Sequence, residues 1–243
     1  MKSGISVVEA VIMHRASLLC LGFVFAAATF TAAEVPSQPL GKKGAPVFTD
    51  DFARPELGKA WRVAFPTFAP ADGVLAADQT NPKHGAVASV KVGQKDMIIE
   101  FKFRLEGATS IAAVCDDHGY KDSHGGHICR VSMTPSAMYL GDDKERLSTA
   151  MEKMRDDPQR KEEYRKLSAP RQQSIQTKFE AGRWYQVTME IVGDEMRVTL
   201  DGKPVGYLKS SGLAHPTKSD LHFTVNGGKA SFDDLGIWAV EPH

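Results

Sequence analysis

Short stretches of alternating apolar and polar residues fill most of the chain after residue 46. In "MIIEFKFRL" the odd positions from Ile99 to Leu105 are apolar, whereas the even positions from Glu100 to Arg104 are charged. In "WYQVTMEIV" the odd positions from Tyr185 to Ile191 are again apolar. A period of two predicts strands with one buried face. Turn sequences such as "VGDEM" and "DGKPVG" separate the stretches, which indicates antiparallel hairpins and an all-β fold.

One segment lacks this period. Residues 144–173 are rich in Lys, Arg, Glu and Met, and Leu147, Met151 and Met154 recur at helical spacing. We interpret the segment as a charged helical insertion between two strands, broken at Pro158 into two short helices. Its acidic and basic residues are interleaved, which is typical of a solvated surface. A role of this insertion as an interaction arm is left open.

The N-terminus predicts export from the cytoplasm. Arg15 precedes the apolar run "SLLCLGFVFAAATF", and small residues up to Ala33 follow it. This order is typical of a signal peptide, residues 1–33, and the run is short for a membrane span. We therefore expect an extracytoplasmic protein with no stable membrane insertion after cleavage, a linker over residues 34–46, and one domain over residues 47–243.

Composition narrows the set of partners. Lys and Arg together number 30, as do Asp and Glu, so the formal net charge is +0. Such a chain has no overall positive field to attract a polyanion. We therefore expect no nucleic-acid partner.

The stretch "CDDHGYKDSHGGHICR" concentrates reactive residue types between Cys115 and Cys129. If the flanking segments are adjacent antiparallel strands, the two cysteines face each other, and we expect a disulfide in an exported protein. The alternative is a pair of buried free thiols. His118, His124 and His127 with nearby aspartates could bind a metal, but their spacing has no recognisable ligand frame. We expect no metal cofactor, with calcium left open.

Several segments together resemble a known family. They are "DDFARPELGKAWRV", "GHICRVSMTP", the "WYQVTMEIVGDEM" hairpin and the closing "ASFDDLGIWAV", in this order from Val47 to Val240. The chain resembles the 3-keto-disaccharide hydrolase-like domains of secreted, planctomycete-type bacterial proteins. The resemblance implies a concanavalin A-like jelly-roll β-sandwich of two antiparallel sheets that is associated with carbohydrate. It assigns no catalytic residues, and the alternating Glu, Asp and Glu motif of laminarinase-type jelly rolls is absent.

Outward-facing ionisable residues supply the catalytic candidates. Glu100, Glu190 and Arg130 are each predicted on the face opposite the core, with His127 at the start of its strand. Two carboxylates, an arginine and a histidine could cleave a glycosidic or keto-glycosidic bond as a hydrolase, by general acid–base catalysis. For a 3-keto sugar a lyase-like reaction is the alternative, in which a base removes the proton beside the carbonyl and Arg130 stabilises the enolate. An Arg130–Glu salt bridge that braces the sheet is the structural alternative. A non-catalytic, lectin-like or cell-surface interaction module is the alternative function.

Three further residues are candidates for the substrate-binding rim. His84 begins a predicted strand, and His215 and Lys218 lie in the loop "AHPTK". Each residue could instead cap a turn.

Overall fold

The computed structural model describes residues 34–65 and 67–241, all within one compact unit, Ala33–His243. The predicted signal peptide, residues 1–33, lies outside the described residues. The described strands are β1 (Lys42–Asp50), β2 (Trp61–Val63), β3 (Phe68–Ala71), β4 (Val74–Asp78), β5 (Ala86–Gln94), β6 (Met97–Glu106), β7 (Ser110–Asp116), β8 (His127–Thr134), β9 (Ala137–Asp142), β10 (Gln172–Gln176), β11 (Tyr185–Val192), β12 (Glu195–Leu200), β13 (Lys203–Lys209), β14 (Lys218–Asn226) and β15 (Lys229–Glu241). Strand β1 begins inside the segment predicted as a linker.

The strands form two antiparallel sheets. The first sheet has the order β13-β12-β11-β6-β15-β4-β3, and β1 also pairs with β15. The second sheet has the order β10-β9-β8-β7-β14-β5-β2. Because at least three neighbouring pairs in each sheet join strands that are not consecutive in sequence, the strand order could not be predicted from the alternation. The predicted all-β sandwich is confirmed.

The core lies between the sheets and follows the predicted alternation. Ile99, Phe101 and Phe103 of β6 are at most 1% exposed. On the second sheet Phe223 stacks on Phe232 of the first sheet, with ring centroids 4.2 Å apart. Burial of these aromatic rings between the sheets supplies a large part of the hydrophobic stabilisation.

The charged insertion is helical, as predicted. It contains α1 (Asp143–Arg146), α2 (Thr149–Asp156) and α3 (Lys161–Ser168) between β9 and β10. Helix α2 ends before Pro158, and its Met151 and Met154 are buried. No helix among the described residues is long and apolar enough to cross a bilayer.

The two cysteines face each other but do not form the predicted disulfide. Cys115 of β7 pairs with Cys129 of β8, as the sequence predicted, yet both are free thiols buried in the core. A disulfide requires an S–S distance of about 2.05 Å, and the two sulfur atoms are not at bonding distance. Hydrogen bonding with Cys115 and burial raise the pKa of the Cys129 thiol. The pair therefore acts as apolar core, because the protonated thiol is unreactive.

Thiol titration tests this correction. In a Cys20→Ser variant purified without reductant, we expect no reaction with a thiol reagent in the folded protein, because both remaining side chains are 0% exposed. After unfolding in guanidinium chloride we expect both Cys115 and Cys129 to react. No reactive thiol in the unfolded chain would instead show that the disulfide forms.

Candidate active site on the outer face of the second sheet

The four predicted catalytic residues do not share one surface. Glu100 of β6 and Glu190 of β11 lie on the outer face of the first sheet, whereas His127 and Arg130 belong to β8 of the second. The four residues therefore do not form one site. Alternation assigns a side chain to the inner or outer face of its own strand, but it does not assign the strand to a sheet.

Both glutamates have structural partners. Glu190 is buried and accepts hydrogen bonds from Arg197 Nη1 at 2.8 Å and from the backbone N–H of Leu40 at 2.7 Å. Arg197 also donates to the carbonyl oxygens of Pro36 and Ser37, at 2.7 and 3.3 Å. Glu100 forms an ion pair with Lys43 at 2.7 Å. The glutamates therefore help to hold the segment before and within β1 on the first sheet.

Arg130 is paired with an aspartate of the insertion, not with a glutamate. Its Nε donates to Asp143, the first residue of α1, which also accepts from Arg146 at 2.6 Å. Asp143 is completely buried. This pairing attaches the helical insertion to the outer face of β8.

Of the three predicted rim residues, the structure places two in buried structural contacts. Lys218 is 0% exposed, and its Nζ donates to the carbonyl oxygens of Lys95 and Leu213 at 2.6 and 2.7 Å. His215 Nε2 bonds Asp117 at 2.8 Å. His84 lies on the surface beside the second sheet, where its ring packs 5.0 Å from that of Phe65.

A groove on the outer face of the second sheet collects most of the histidines. Its volume is about 430 Å³, and we call it the histidine groove after His84, His118, His124, His127 and His222, which line it together with Arg62 and Arg130. Among the described residues, His215 is the single histidine outside it. The floor contains small side chains, such as Ser89 and Thr224, which leave room above the strands.

Asp116 joins two of these histidines into one unit, which we call the Asp116 centre. Its Oδ1 accepts from His127 Nδ1 at 2.6 Å, and its Oδ2 accepts from His222 Nδ1 at 2.7 Å. An ionised carboxylate only accepts, so each Nδ1 carries the hydrogen. The Nε2 atoms of both rings remain for a proton or a ligand in the groove. An aspartate that fixes a histidine tautomer in this way prepares Nε2 for acid–base chemistry.

A β-bulge brings His127 to this face. Strict alternation would place His127 on the same side as Cys129, which points into the core. The register instead shifts between the pairs Cys115–Cys129 and Asp116–His127, so Ile128 is an extra residue and is buried. Bulges of this kind redirect side chains next to functional sites. His127 therefore faces Asp116 although the sequence pattern assigns it to the other side.

Two residues of the centre were not among the predicted site residues. Asp116 is one of the aspartates near the three histidines that could bind a metal, and no predicted site includes His222. In "LHFTV" the apolar residues Leu221, Phe223 and Val225 alternate with His222, which signals an outward histidine. The pairing of β14 with β7, which places His222 beside Asp116, follows only from the tertiary structure.

The distances within the Asp116 centre match hydrogen bonds better than they match coordination of one metal ion. The ligand-type atoms of Asp116, His127 and His222 lie within 4.8 Å of one another, so the residue types could hold a metal. However, two ligand atoms each ~2.1 Å from one tetrahedrally coordinated ion are ~3.4 Å apart. The observed 2.6 and 2.7 Å separations are those of hydrogen bonds to a carboxylate.

The histidines also determine the ionisation of Asp116. Burial by itself would raise the pKa of this carboxyl, but the hydrogen bonds and charges of His127 and His222 outweigh it. Together they lower the pKa from 3.8 to about 2. The carboxylate is therefore ionised throughout the physiological range.

This shift predicts an acid-sensitive contribution to stability. Because the folded-state pKa of Asp116 lies below the unfolded value, its contribution is fully present above pH 4 and is lost as the pH falls towards 2. The shift corresponds to about 2 kcal/mol. We expect the free energy of unfolding, measured in urea from pH 6 to pH 2, to fall less steeply for Asp116→Asn than for the wild type. Parallel curves for the two proteins would contradict the assignment.

Comparison with known proteins supports the architecture. No protein-family model matches the chain, and no curated protein matches its sequence. A solved structure of a sialidase is similar with a TM-score of 0.55 and 14% identity over 84% of this chain, which covers 19% of that protein. A Bacillus licheniformis β-glucanase gives 0.56 and 6%, covering 82% of this chain and 100% of that one. The carbohydrate-binding module CBM66 from Bacillus subtilis gives 0.52 and 12%, covering 76% and 100%.

At such low identities these likenesses concern the fold alone. The two antiparallel sheets match the jelly-roll architecture of the β-glucanase over its whole length. The protein therefore has the concanavalin A-like jelly-roll fold that the resemblance implied.

Proposed function

We propose that this is a carbohydrate-active protein that cleaves 3-keto-glycosides at the Asp116 centre. The observation that carries the proposal is the pair of imidazoles held by one buried carboxylate inside a groove of about 430 Å³. A groove of this size accommodates a small saccharide. Several proteins of similar fold are described as glycosyl hydrolases or glucanases, which supports a carbohydrate as the ligand.

The ionisable side chains of the histidine groove favour a glycoside that carries a ketone over an ordinary glycoside. Ordinary glycosidases use two carboxyl groups, about 5–10 Å apart, on either side of the bond. Among the described residues that line the histidine groove, Asp116 is the single carboxylate, and both of its oxygens are occupied by histidines. Imidazole suits the removal of a proton that an adjacent carbonyl has made acidic.

The proposed reaction is an elimination followed by addition of water. One Nε2 of the centre removes the proton on the carbon between the ketone and the anomeric carbon, and the C–H electrons form an enolate. Collapse of the enolate breaks the bond from the anomeric carbon to the leaving oxygen, which takes a proton from the other Nε2. Water then adds to the anomeric carbon and a proton returns to its neighbour, so the net result is hydrolysis.

Arg130 has a supporting role in this proposal. It lines the same groove, and its guanidinium places a positive charge near the Asp116 centre. A cation close to the developing enolate oxygen stabilises the negative charge that forms there. The attachment of Arg130 to Asp143 limits its motion, so the charge is held in position before the reaction.

Incubation of the purified full chain with a 3-keto-glycoside and with the parent glycoside tests the proposal. We expect release of the leaving group from the keto compound alone, unchanged by a chelator, because we propose proton transfer by histidine without a metal. Binding of both compounds without turnover would instead support the second candidate, a non-catalytic binding module, which the likeness to CBM66 favours. Loss of turnover with the chelator would contradict the metal-free reaction.

We also propose that the protein acts outside the cytoplasm. The apolar run that ends near Ala33 supports this location. Cell fractionation of a tagged chain, with N-terminal sequencing of the mature form, tests it. Recovery of uncleaved chain in the cytoplasm would contradict it.

A further inference from the structure

Arg62 differs from the other arginines of the described residues. Each of the others has a carboxylate oxygen within 4.0 Å, including those on the insertion and on both sheets. Arg62 has no such ion pair among the described residues, and its Nε donates only a long hydrogen bond, to Ser89 Oγ at 3.4 Å. Its side chain is exposed. The guanidinium therefore keeps most of its donors for a ligand.

Arg62 lies beside the Asp116 centre. It pairs with Ser89 across β2 and β5, and Ser89 pairs with His222 across β5 and β14. Directly paired residues project to the same face, and strands are ~4.8 Å apart, so Arg62 is ~10 Å from His222 along the sheet.

A second cavity extends the histidine groove at this position. It has a volume of about 480 Å³ and shares Arg62, Ser89 and His118 with the groove. Lys59 and Lys91 also line it. Both lysines are exposed, and neither forms an ion pair within the part of the chain that the structure describes.

The acidic residues of this region offset only part of this positive charge, since Asp220 is one carboxylate against Arg62, Lys59 and Lys91 in the lining of the second cavity. Asp220 lines the second cavity, but its Oδ2 lies 3.1 Å from His118 Nε2 and accepts from Ser219 Oγ at 2.7 Å. Asp116 is occupied by His127 and His222. The surface around Arg62 thus presents positive charge towards the cavity.

We propose that the joined cavities select an anionic saccharide, whose carboxylate or sulfate group is bound by Arg62. This inference rests on the proposed function, because it names the substrate class of the same site. The planar guanidinium matches two oxygens of either anion in a bidentate arrangement. Lys59 and Lys91 add a positive field that attracts such ligands.

Calorimetric binding to the full chain tests this proposal. Three saccharides of equal length are compared: a neutral one, one that carries a uronate and one that carries a sulfate. We expect the wild type to bind at least one anionic saccharide about 10- to 100-fold more tightly than the neutral one, because a hydrogen-bonded charge contributes that much. Comparison of the affinities for the uronate and for the sulfate shows which of the two anions Arg62 binds. The preference should decrease at higher salt.

Matched variants test whether the preference for anionic saccharides depends on Arg62. Arg62→Gln should remove most of the anionic preference, and Arg62→Lys should restore only part of it, because lysine lacks the planar fork. Lys203→Gln is the control, since it removes one exposed positive charge from β13 of the first sheet. It should keep the wild-type preference.

The outcomes separate this inference from the proposed function. Equal affinity for neutral and anionic saccharides, or an unchanged preference in Arg62→Gln, would overturn anionic selection while the proposed function stands. Binding of no saccharide and turnover of no keto-glycoside would overturn both. Turnover of neutral keto-glycosides at the rate of anionic ones would likewise overturn the selection alone.

Discussion

Replacing His127 or His222 by glutamine is expected to lower the turnover of a keto-glycoside by about 100- to 10,000-fold, the usual contribution of a general acid or base. Each substitution removes an Nε2 that can carry a proton while it keeps a polar side chain of similar length. Steady-state kinetics at pH 7 would measure the loss, and circular dichroism would verify that the fold persists. A decrease of less than tenfold in both variants would contradict the assignment of the Asp116 centre.

Glu100→Gln is the matched control for these variants. Glu100 was a catalytic candidate from sequence, but it lies on the outer face of the other sheet, paired with Lys43. We expect its turnover to equal that of the wild type. A large loss in Glu100→Gln would return the active site to the first sheet.

Asp116→Asn addresses the positioning role of the carboxylate. Asparagine retains the shape of Asp116 but has one acceptor oxygen in place of two, so it cannot hold both imidazoles in the same tautomer. We expect a lower turnover number together with a displaced pH profile, because the charge beside both histidines is gone. A purely structural role for Asp116 would leave the pH profile unchanged.

Arg197→Ala is expected to lower the free energy of unfolding by about 3–5 kcal/mol, the range for breaking a buried ion pair by removing one partner. Arg197 and Glu190 have side chains only 4% and 5% exposed. The substitution leaves the Glu190 charge buried and removes the donor to the carbonyl oxygens of Pro36 and Ser37. Urea unfolding followed by tryptophan fluorescence would measure the change.

A more exposed ion pair on the same sheet provides the comparison. Lys43→Ala removes a cation whose side chain is 41% exposed, and we expect a loss of about 1 kcal/mol or less. Similar losses for the two variants would show that Arg197 does not act as a buried partner. Replacing the pair by Glu190→Gln with Arg197→Met should recover part of the stability, because no unpaired charge remains.

The two large effects concern opposite outer faces of one sandwich. The outer face of the first sheet around Glu190 uses its charged residues to hold the N-terminal segment, residues 36–43, against the strands. On the outer face of the second sheet, the histidines line the histidine groove. This difference explains why the same residue types, placed outward on similar strands, serve stability on one face and the proposed chemistry on the other.

The sequence by itself determined the elements and their buried sides. A period of two in β6 and β11 predicted which residues enter the core, since burial of apolar side chains follows from the local geometry of a strand. Helical spacing and charge predicted the insertion between β9 and β10. The facing positions of Cys115 and Cys129 were also predicted, because β7 and β8 are consecutive strands.

Only the tertiary structure decided which outward residues meet. The order of strands in each sheet places β14 beside β7, and so His222 beside Asp116, although more than 100 residues separate them. The bulge at Ile128 reverses the side on which His127 lies. The alternation of apolar and polar residues does not predict this bulge. Local alternation specifies a face, whereas long-range pairing and register specify the neighbours, and the chemistry of the site depends on the neighbours.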